Sequence, residues 1–214
     1  EIVKCMKVSP EQLRVGPVGI SSDFTTSIST KKDFIPLVVA GGRFMPPKGF
    51  DRLPAILSLV KERIPSLKVV IFGDGPEKST IESEIRKYAA EDWIHLPGFI
   101  ERKDQIRLYQ RANLLVAPSR REGWNMTITE AAACGTSSVA TKIPGHLDAV
   151  IDQETGLLVE DDTEMVEAVV AALLDGNQRS EMEINAVKHA KNFQWDHTAA
   201  IILNALCDDA ESRK

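Results

Sequence analysis

The chain has 214 residues, of which 43% are hydrophobic and 27% are charged, a balance typical of a globular domain with its own core. Lys and Arg total 26 against 31 Asp and Glu, and the formal net charge of −5 disfavours a general binder of nucleic acid or anionic lipid. No apolar run approaches the roughly 18 residues that a membrane-spanning helix needs, and no secretory signal is visible. Because the first residue is Glu1, we expect the chain to be an excised part of a longer protein.

Cysteine and aspartate usage gives no sign of a metal centre. The three cysteines, Cys5, Cys134 and Cys207, are odd in number and widely separated, which argues against a disulfide framework or a zinc cluster. The sequence contains no Asp-x-Asp, the simplest signature of a metal-bridged diphosphate site. We therefore expect free thiols, a cytoplasmic location and no metal.

Short apolar runs alternate with segments of helical periodicity. The apolar runs predict strands over residues 35–41, 67–73, 93–98, 113–119, 137–141 and 156–160. The periodic segments predict helices over about 51–64, 77–90, 103–111, 125–135, 163–176, 178–191 and 196–207. Pro54 should lie in the first turn of its helix. Thr163 is expected to cap the fifth helix, and Gly176 is expected to end it in the left-handed conformation.

This alternation of fully apolar strands with helices predicts an α/β fold, a doubly wound parallel sheet of the Rossmann-like type. Ligands of such folds bind at the carboxyl ends of the strands. Candidate site residues should therefore follow strands directly.

Several segments resemble nucleotide-binding motifs without fulfilling them. In "GDGPEKST" (residues 73–80), Phe72 and Glu77 occupy the places of the two glycines that a P-loop requires. The segment after the first strand, "GGRFMPPKG", is not a GxGxxG dinucleotide pattern. The four histidines are scattered along the chain and are interpreted as structural or surface residues: His95, His146, His189 and His197.

The first candidate constellation is Arg43 and Lys48, which follow the first strand. Gly41 and Gly42 allow a tight turn at the strand end. Arg43 offers a planar fork and Lys48 a point charge, so that the pair could neutralise a diphosphate without metal. The alternative is two solvated cations in front of a helix.

The second constellation lies in "SRREGWNMTITEAAACGT" (residues 119–136), after the fourth strand. Glu122 is predicted in the loop and Glu130 on the following helix, and both can accept hydrogen bonds from sugar or ribose hydroxyls. The backbone N–H groups of residues 123–127 and the helix dipole would favour an anion. The alternative is a helix-capping Glu122 and a solvated Glu130.

The third constellation follows the third strand in "HLPGFIERKD" (residues 95–104). Gly98 allows close approach, and Phe99 and Ile100 could flank a base. The alternative is a simple turn with core apolar residues.

Taken together, these segments resemble family 4 of the retaining glycosyltransferases. The blocks "GGRFMPPKGFDRL", "VIFGDGPE", "LPGFIERKD", "VAPSRREGWNMTITEAAACGT" and "ETGLLVED" stand in the order typical of that family, over roughly residues 16–200. The resemblance implies the C-terminal, donor-binding half of a GT-B enzyme that transfers a hexose from a nucleotide diphosphate sugar. Residues 1–15 would then be the tail of a missing N-terminal acceptor domain and a linker, and residues 16–214 would be the donor domain.

The resemblance also implies roles for individual residues. Arg43 and Lys48 would hold the donor diphosphate, Glu122 would contact the transferred sugar and act with them in catalysis, and Glu130 would bind the ribose. The remaining implied contacts are the cleft floor at Gly42, Gly73 and Gly75, the base at Phe99 and Ile100, the nucleotide at Arg120 or Arg121, and main-chain donors at Gly123, Trp124, Asn125, Met126 and Thr127. Asn125 departs from the family pattern, in which glycine is usual.

The same resemblance implies a metal-independent reaction without a cofactor, whose partners are a nucleotide sugar, the missing N-terminal domain and an acceptor glycan or lipid, with no nucleic acid. Mannosyl and glucosyl donors are the most frequent in the family, and the full-length enzyme could be peripheral to the membrane. Two alternatives stay open: a module that binds nucleotide sugar without catalysis, to which the isolated chain itself would correspond, and a sugar-nucleotide epimerase. The sequence does not identify the sugar, the base, the acceptor or the oligomeric state.

Overall fold

The computed structural model describes residue 9 and residues 13–25 and 32–212. Within them, six parallel strands form one sheet in the order β3-β2-β1-β4-β5-β6. The strands are β1 (Leu37–Gly41), β2 (Lys68–Phe72), β3 (Ile94–Gly98), β4 (Leu114–Ala117), β5 (Ser138–Thr141) and β6 (Gly156–Val159). The predicted doubly wound fold and the existence of all six strands are confirmed.

Helices connect the strands and close the chain. They are α1 (Leu53–Arg63), α2 (Lys78–Lys87), α3 (Arg102–Arg111), α4 (Met126–Ala133), α5 (Pro144–Leu147), α6 (Asp162–Leu174), α7 (Gly176–Ala190) and α8 (Trp195–Ser212). Two short 3₁₀ turns, Pro46–Lys48 and Phe50–Arg52, lead into α1, and a third, Lys191–Phe193, leads into α8. Pro54 lies in the first turn of α1, as predicted.

Two predicted helix ends are wrong. The cap of α6 is Asp161, whose carboxylate accepts from the Glu164 N–H at 2.8 Å, so Thr163 already lies inside the helix. Gly176 does not end α6 in the left-handed region but opens α7, because the Asp175 carboxylate accepts from the Asn177 and Gln178 N–H groups and restarts the chain as a helix at once. The sequence pattern also missed α5, which at four residues is too short to show periodicity.

Both faces of the sheet are covered. In β1, Val38 and Ala40 pack into a core under α1, α2 and α6, whereas Leu37 and Val39 pack into a second core under α3, α4 and α7. This two-sided burial explains the fully apolar strands. Among the described residues, no helix is long and apolar enough to cross a bilayer.

The segment before β1 is held by the end of the chain. The Ile20 N–H donates to the Phe193 carbonyl at 2.7 Å, and the Thr198 hydroxyl donates to the Pro17 carbonyl at 2.7 Å. Most of the predicted tail, residues 1–15, lies outside the described residues, as does Cys5. Cys134 and Cys207 are free thiols, the first buried and the second exposed.

Helix α1 offers a direct test of this packing. Leu57 is fully buried, whereas Leu59, on the same helix, is 52% exposed. Leu57→Ala should lower the free energy of unfolding by about 2–5 kcal/mol, because it leaves a cavity in the first core. Leu59→Ala should change it by less than about 0.5 kcal/mol. Urea denaturation of both variants measures the difference, and equal losses would contradict the inward face assigned to α1.

Candidate functional site

The site lies where the order of the strands reverses, between the neighbouring strands β1 and β4. The chain moves from β1 towards one edge through β2 and β3, then returns to place β4 on the other side of β1. Val38 and Val39 of β1 pair with Leu114 and Leu115 of β4. Because both strands are parallel and adjacent, their following loops meet at one edge, which is where ligands of doubly wound sheets bind.

The loop after β1 is shaped by glycines that permit close approach. A Cβ on Gly73 would lie 1.9 Å from the Gly42 carbonyl oxygen, so the loops after β1 and β2 touch through their main chains. Gly49 has a φ of +69°, and its Cβ would lie 2.3 Å from the Pro118 carbonyl oxygen. This left-handed residue separates the two 3₁₀ turns and brings Lys48 up to the loop after β4.

Lys48 and Glu122 form a direct ion pair. The Lys48 Nζ lies 2.5 Å from the Glu122 Oε1, and the two side chains are 21% and 9% exposed. The same Glu122 oxygen accepts from the Ser119 hydroxyl at 2.9 Å. The structure therefore joins two residues of separate predicted constellations, and Glu122 is no helix cap.

Two arginines, Arg120 and Arg52, connect the loops after β1 and β4 behind the ion pair and form what we call the arginine frame. Arg120 pairs with Asp51 through two hydrogen bonds of 2.7 Å each and also donates to the Pro46 carbonyl at 3.0 Å. The hydrogen bond from Arg120 lowers the pKa of the Asp51 carboxyl below its ordinary value. Arg52 bridges in the same way to Asp162 and to the Pro118 carbonyl. Arg120 is thus occupied by the frame rather than free for a nucleotide.

Two other arginines of the site remain exposed. Arg43 and Arg121 have solvent-exposed side chains, and neither forms an ion pair with any described residue. Both follow the carboxyl end of a central strand, β1 or β4. Their guanidinium groups are accordingly available for an anion.

Glu130 lies on α4, half-buried against α3. Gln105 donates to its Oε2 at 2.9 Å and to the Tyr109 hydroxyl at 3.0 Å. Burial raises the pKa of Glu130 from 4.5 to about 7, against the opposing effects of the Gln105 hydrogen bond and the positive Arg102. Glu130 is therefore no freely solvated surface residue.

The start of α4 presents main-chain donors. Asn125 occupies the N-cap position but makes no capping hydrogen bond with its side chain. In the described part of the chain, the N–H groups of Gly123, Trp124, Asn125, Met126 and Thr127 have no hydrogen-bond acceptor. The Trp124 ring itself turns inward and packs edge-on against Phe193, with 5.1 Å between ring centroids. What this turn offers a ligand is thus its backbone.

The loop after β3 lies next to the loop after β2. The Gly73 N–H donates to the Gly98 carbonyl at 2.8 Å, and Gly75 approaches the main chain of Phe44 closely. Phe99 is 81% exposed, whereas Ile100 is half-buried against the second core. Phe99 can therefore border a ligand with its side chain, and Ile100 serves mainly the core.

Three contributors to the site are not indicated by the sequence pattern. His146 is fully buried and hydrogen-bonds Asn125, a contact that its scattered position among the four histidines does not predict. A Cβ on Gly145 would lie 2.5 Å from the Glu122 carbonyl oxygen, so this glycine lets α5 approach the site. Gln105 contacts Glu130 from 25 residues away, a relation that no local pattern could reveal. Across the described residues, no group of three or more His, Cys, Asp or Glu side chains could hold a metal ion.

Comparison with known proteins places this arrangement in a family. The family model described as glycosyl transferases group 1 matches residues 23–189. D-inositol 3-phosphate glycosyltransferase from Acidothermus cellulolyticus is 27% identical over 232 residues, covering 100% of this chain and 52% of that protein. Among solved structures, sucrose-phosphate synthase from Thermosynechococcus elongatus superposes with a TM-score of 0.81 at 25% identity, over 94% of this chain and 53% of the other.

A further solved structure, Anabaena HepE in complex with UDP, superposes with a TM-score of 0.77 at 22% identity, over 89% of this chain and 56% of the other. The chain thus spans about half the length of these proteins. Since the family model covers most of the chain and the six-stranded fold agrees with it, the chain belongs to the glycosyl transferases group 1 and is a GT-B glycosyltransferase domain.

Proposed function

We propose that this chain is the C-terminal, donor-binding half of a retaining glycosyltransferase that transfers a hexose from a nucleotide diphosphate sugar to an acceptor hydroxyl. The observation that carries the proposal is the Lys48–Glu122 ion pair of 2.5 Å between the loops after β1 and β4. It concentrates a cation and an acceptor of hydroxyl groups in one cleft, next to unoccupied main-chain donors and two exposed arginines. A diphosphate attached to a sugar is complementary to that set.

The departing diphosphate is the main developing charge of such a reaction. The bond between the anomeric carbon and the diphosphate oxygen breaks with its electron pair on the oxygen, the acceptor oxygen bonds to the anomeric carbon from the same face, and the acceptor proton is released to solvent. Lys48, Arg43 and the N–H groups at the start of α4 would stabilise the leaving oxygen atoms. The chain's contribution is therefore electrostatic preorganisation without a metal ion.

The two glutamates would orient the donor. Lys48 and Ser119 both contact the Oε1 of Glu122, so its Oε2 would be left to accept from hydroxyls of the transferred sugar. Glu130, on the next helix, would accept from ribose hydroxyls while Gln105 fixes its other side. UDP, present in the Anabaena structure, is the first nucleotide to test, followed by GDP and ADP. Mannosyl and glucosyl nucleotides are the donors that we propose to examine first.

The length of the relatives supports a division of labour. Because the chain spans about half of them, we propose that acceptor contacts and further catalytic groups belong to an N-terminal domain in the same protein. The isolated chain would then bind nucleotide sugar and catalyse no transfer. A purely binding module is the alternative for the parent protein, and retained binding without transfer by that full-length protein would favour it.

Lys48→Ala tests the proposal. In the full-length enzyme it should lower kcat by about 10²–10³, because one well-placed donor to a developing charge contributes about 3–4 kcal/mol. In the 214-residue chain it should also weaken UDP binding, measured by calorimetry. Unchanged turnover and unchanged affinity would remove Lys48 from the mechanism.

The matched control is Lys61→Ala. Lys61 is also half-buried, but its Nζ donates to the Leu67 carbonyl at 2.8 Å, at the opposite end of the sheet from the cleft. This variant should keep the turnover and the affinity of the unmodified protein. A loss as large as that of Lys48→Ala would indicate a general effect of removing a lysine.

Removal of metal ions tests separately whether protein cations and N–H groups alone bind the diphosphate. The affinity of the chain for UDP should stay within about twofold after EDTA treatment and after addition of Mg²⁺ or Mn²⁺, because protein cations and N–H groups are proposed to meet the diphosphate. A tenfold gain with either ion, which corresponds to about 1.4 kcal/mol, would contradict a metal-independent site.

Glu130→Gln should raise the stability of the chain at pH 8 and lower its affinity for UDP. The folded pKa of Glu130 is raised from 4.5 to about 7, so its contribution to stability is present below pH 4.5 and is lost as the pH rises through 7. At pH 8 the variant, which cannot ionise, should unfold with a free energy roughly 1–3 kcal/mol higher than the unmodified chain. Its UDP affinity should fall, because an amide accepts ribose hydroxyls less strongly than a carboxylate.

Thermal unfolding at pH 5 and pH 8 measures the first effect, and calorimetry at pH 8 measures the second. The stability gain should shrink towards pH 5, where the unmodified Glu130 is protonated. Glu181→Gln, at an exposed position of α7, is the control and should change neither quantity. A loss of stability at pH 8 would contradict the inference that burial makes the ionised form of Glu130 unfavourable.

A further inference from the structure

The side chain of Asn125 is unusual for a residue that begins a helix. Asparagine is among the preferred N-cap residues because its side-chain oxygen accepts from the first backbone N–H groups. Here the Asn125 Oδ1 accepts from the Thr127 hydroxyl at 2.6 Å instead, and no side chain caps α4. The Ile128 N–H donates to the Asn125 backbone carbonyl at 3.1 Å, so the Thr127 N–H is the group that the Asn125 side chain leaves uncapped.

His146 is the group that keeps it away. The His146 Nε2 lies 3.0 Å from the Asn125 Nδ2, and its Nδ1 lies 2.7 Å from the Thr141 carbonyl oxygen. Asn125 is 3% exposed and His146 is fully buried, so water does not compete for these contacts. The helix that presents His146, α5, reaches this position because Gly145 allows it against Glu122.

One assignment of donors and acceptors satisfies the contacts of His146, Asn125 and Thr127 together. A carbonyl oxygen can only accept, so the His146 Nδ1 carries the proton and donates to Thr141. In the neutral ring the Nε2 is then an acceptor, and the Asn125 Nδ2 donates to it. That orientation leaves the Asn125 Oδ1 free to accept from Thr127.

The network continues to the ion pair. The Thr141 hydroxyl donates to the Ser119 carbonyl at 2.5 Å, and the Ser119 hydroxyl donates to Glu122, the partner of Lys48. Burial lowers the pKa of His146 below its ordinary value, although Thr141 and the Glu122 charge oppose that shift. The neutral ring that the network requires is therefore the form present near neutral pH.

We propose that His146 is a positioning residue for the donor site: it holds the Asn125 carboxamide, whose Oδ1 accepts from the Thr127 hydroxyl, off the Thr127 N–H and so keeps that N–H open for the donor diphosphate. This inference rests on the proposed function, because it assigns that N–H group to the diphosphate. It adds a residue that touches no substrate and acts through Asn125. Without His146, Asn125 is free to rotate and cap α4, in competition with the ligand.

A mutant cycle on the 214-residue chain tests this role. His146→Leu should weaken UDP binding by about fivefold, the affinity equivalent of one helix cap. In the double variant Asn125→Ala/His146→Leu, no side chain is left to cap the helix, and the UDP affinity should recover to within about twofold. His189→Leu is the matched control, because His189 also contacts a backbone carbonyl, that of Asp148 at 3.2 Å, but lies on α7.

The outcomes separate the two proposals. Full UDP affinity in His146→Leu, or a loss that persists in the double variant, overturns the positioning role, since a purely structural residue would not be rescued by removing Asn125. Loss of affinity in Lys48→Ala alongside either outcome leaves the proposed function standing. Unchanged affinity in Lys48→Ala, together with unchanged turnover of the full-length enzyme, removes Lys48 from the mechanism and with it the ion pair that carries the proposed function.

A spectroscopic measurement covers the case in which His146→Leu does not fold. Long-range ¹H–¹⁵N spectra of the unmodified chain at pH 7 should show His146 as the neutral tautomer with its proton on Nδ1, assigned with the help of the His189 variant. A charged ring, or a proton on Nε2, would place two donors against each other at Asn125 and would overturn the proposal.

Discussion

The contact between Lys48 and Glu122 ties the two loops of the cleft together, and the arrangement of the whole site depends on it. A largely desolvated ion pair contributes little net stability, but removal of one partner costs about 3–5 kcal/mol because the other charge stays behind. Glu122 is 9% exposed, so this asymmetry applies to it directly. Such a pair is therefore poor evidence for net stabilisation, and what it does is hold two opposite charges together at the cleft.

The sheet makes that contact possible. β1 and β4 are neighbours in the sheet although 72 residues, 42–113, lie between Gly41 at the end of β1 and Leu114 at the start of β4. The arginine frame then fixes the loops from behind: Arg120 holds Asp51, and Arg52 reaches the Pro118 carbonyl. Lys48 pairs with Glu122, and Arg43 and Arg121 stay exposed without an ion pair to any described residue. Rigid support and available charge are thus assigned to different residues of the same two loops.

The sequence predicts the fold well because apolar strands and periodic helices are local signals. It places Lys48, Glu122 and the start of α4 at strand ends, and the parallel sheet brings those ends together. It fails where the outcome depends on competition between neighbours: Asp161 caps α6 in place of Thr163, and Asp175 restarts a helix at Gly176. It also fails for His146, because a four-residue helix has no periodicity and the partner of His146 lies 21 residues away.

The pairing of Lys48 with Glu122 has a consequence for the proposed reaction. A diphosphate that recruited Lys48, as the proposed function requires, would leave Glu122 without its cation and with only the Ser119 hydroxyl. A nucleotide without its sugar would leave that buried carboxylate undersatisfied, whereas a sugar hydroxyl attached to the diphosphate would compensate it. Under the proposed function, the two halves of the donor would be coupled through one carboxylate, and the intact donor would gain more from the site than its separated parts. The product nucleotide, which has lost the sugar, would bind less well for the same reason, and this would favour its release.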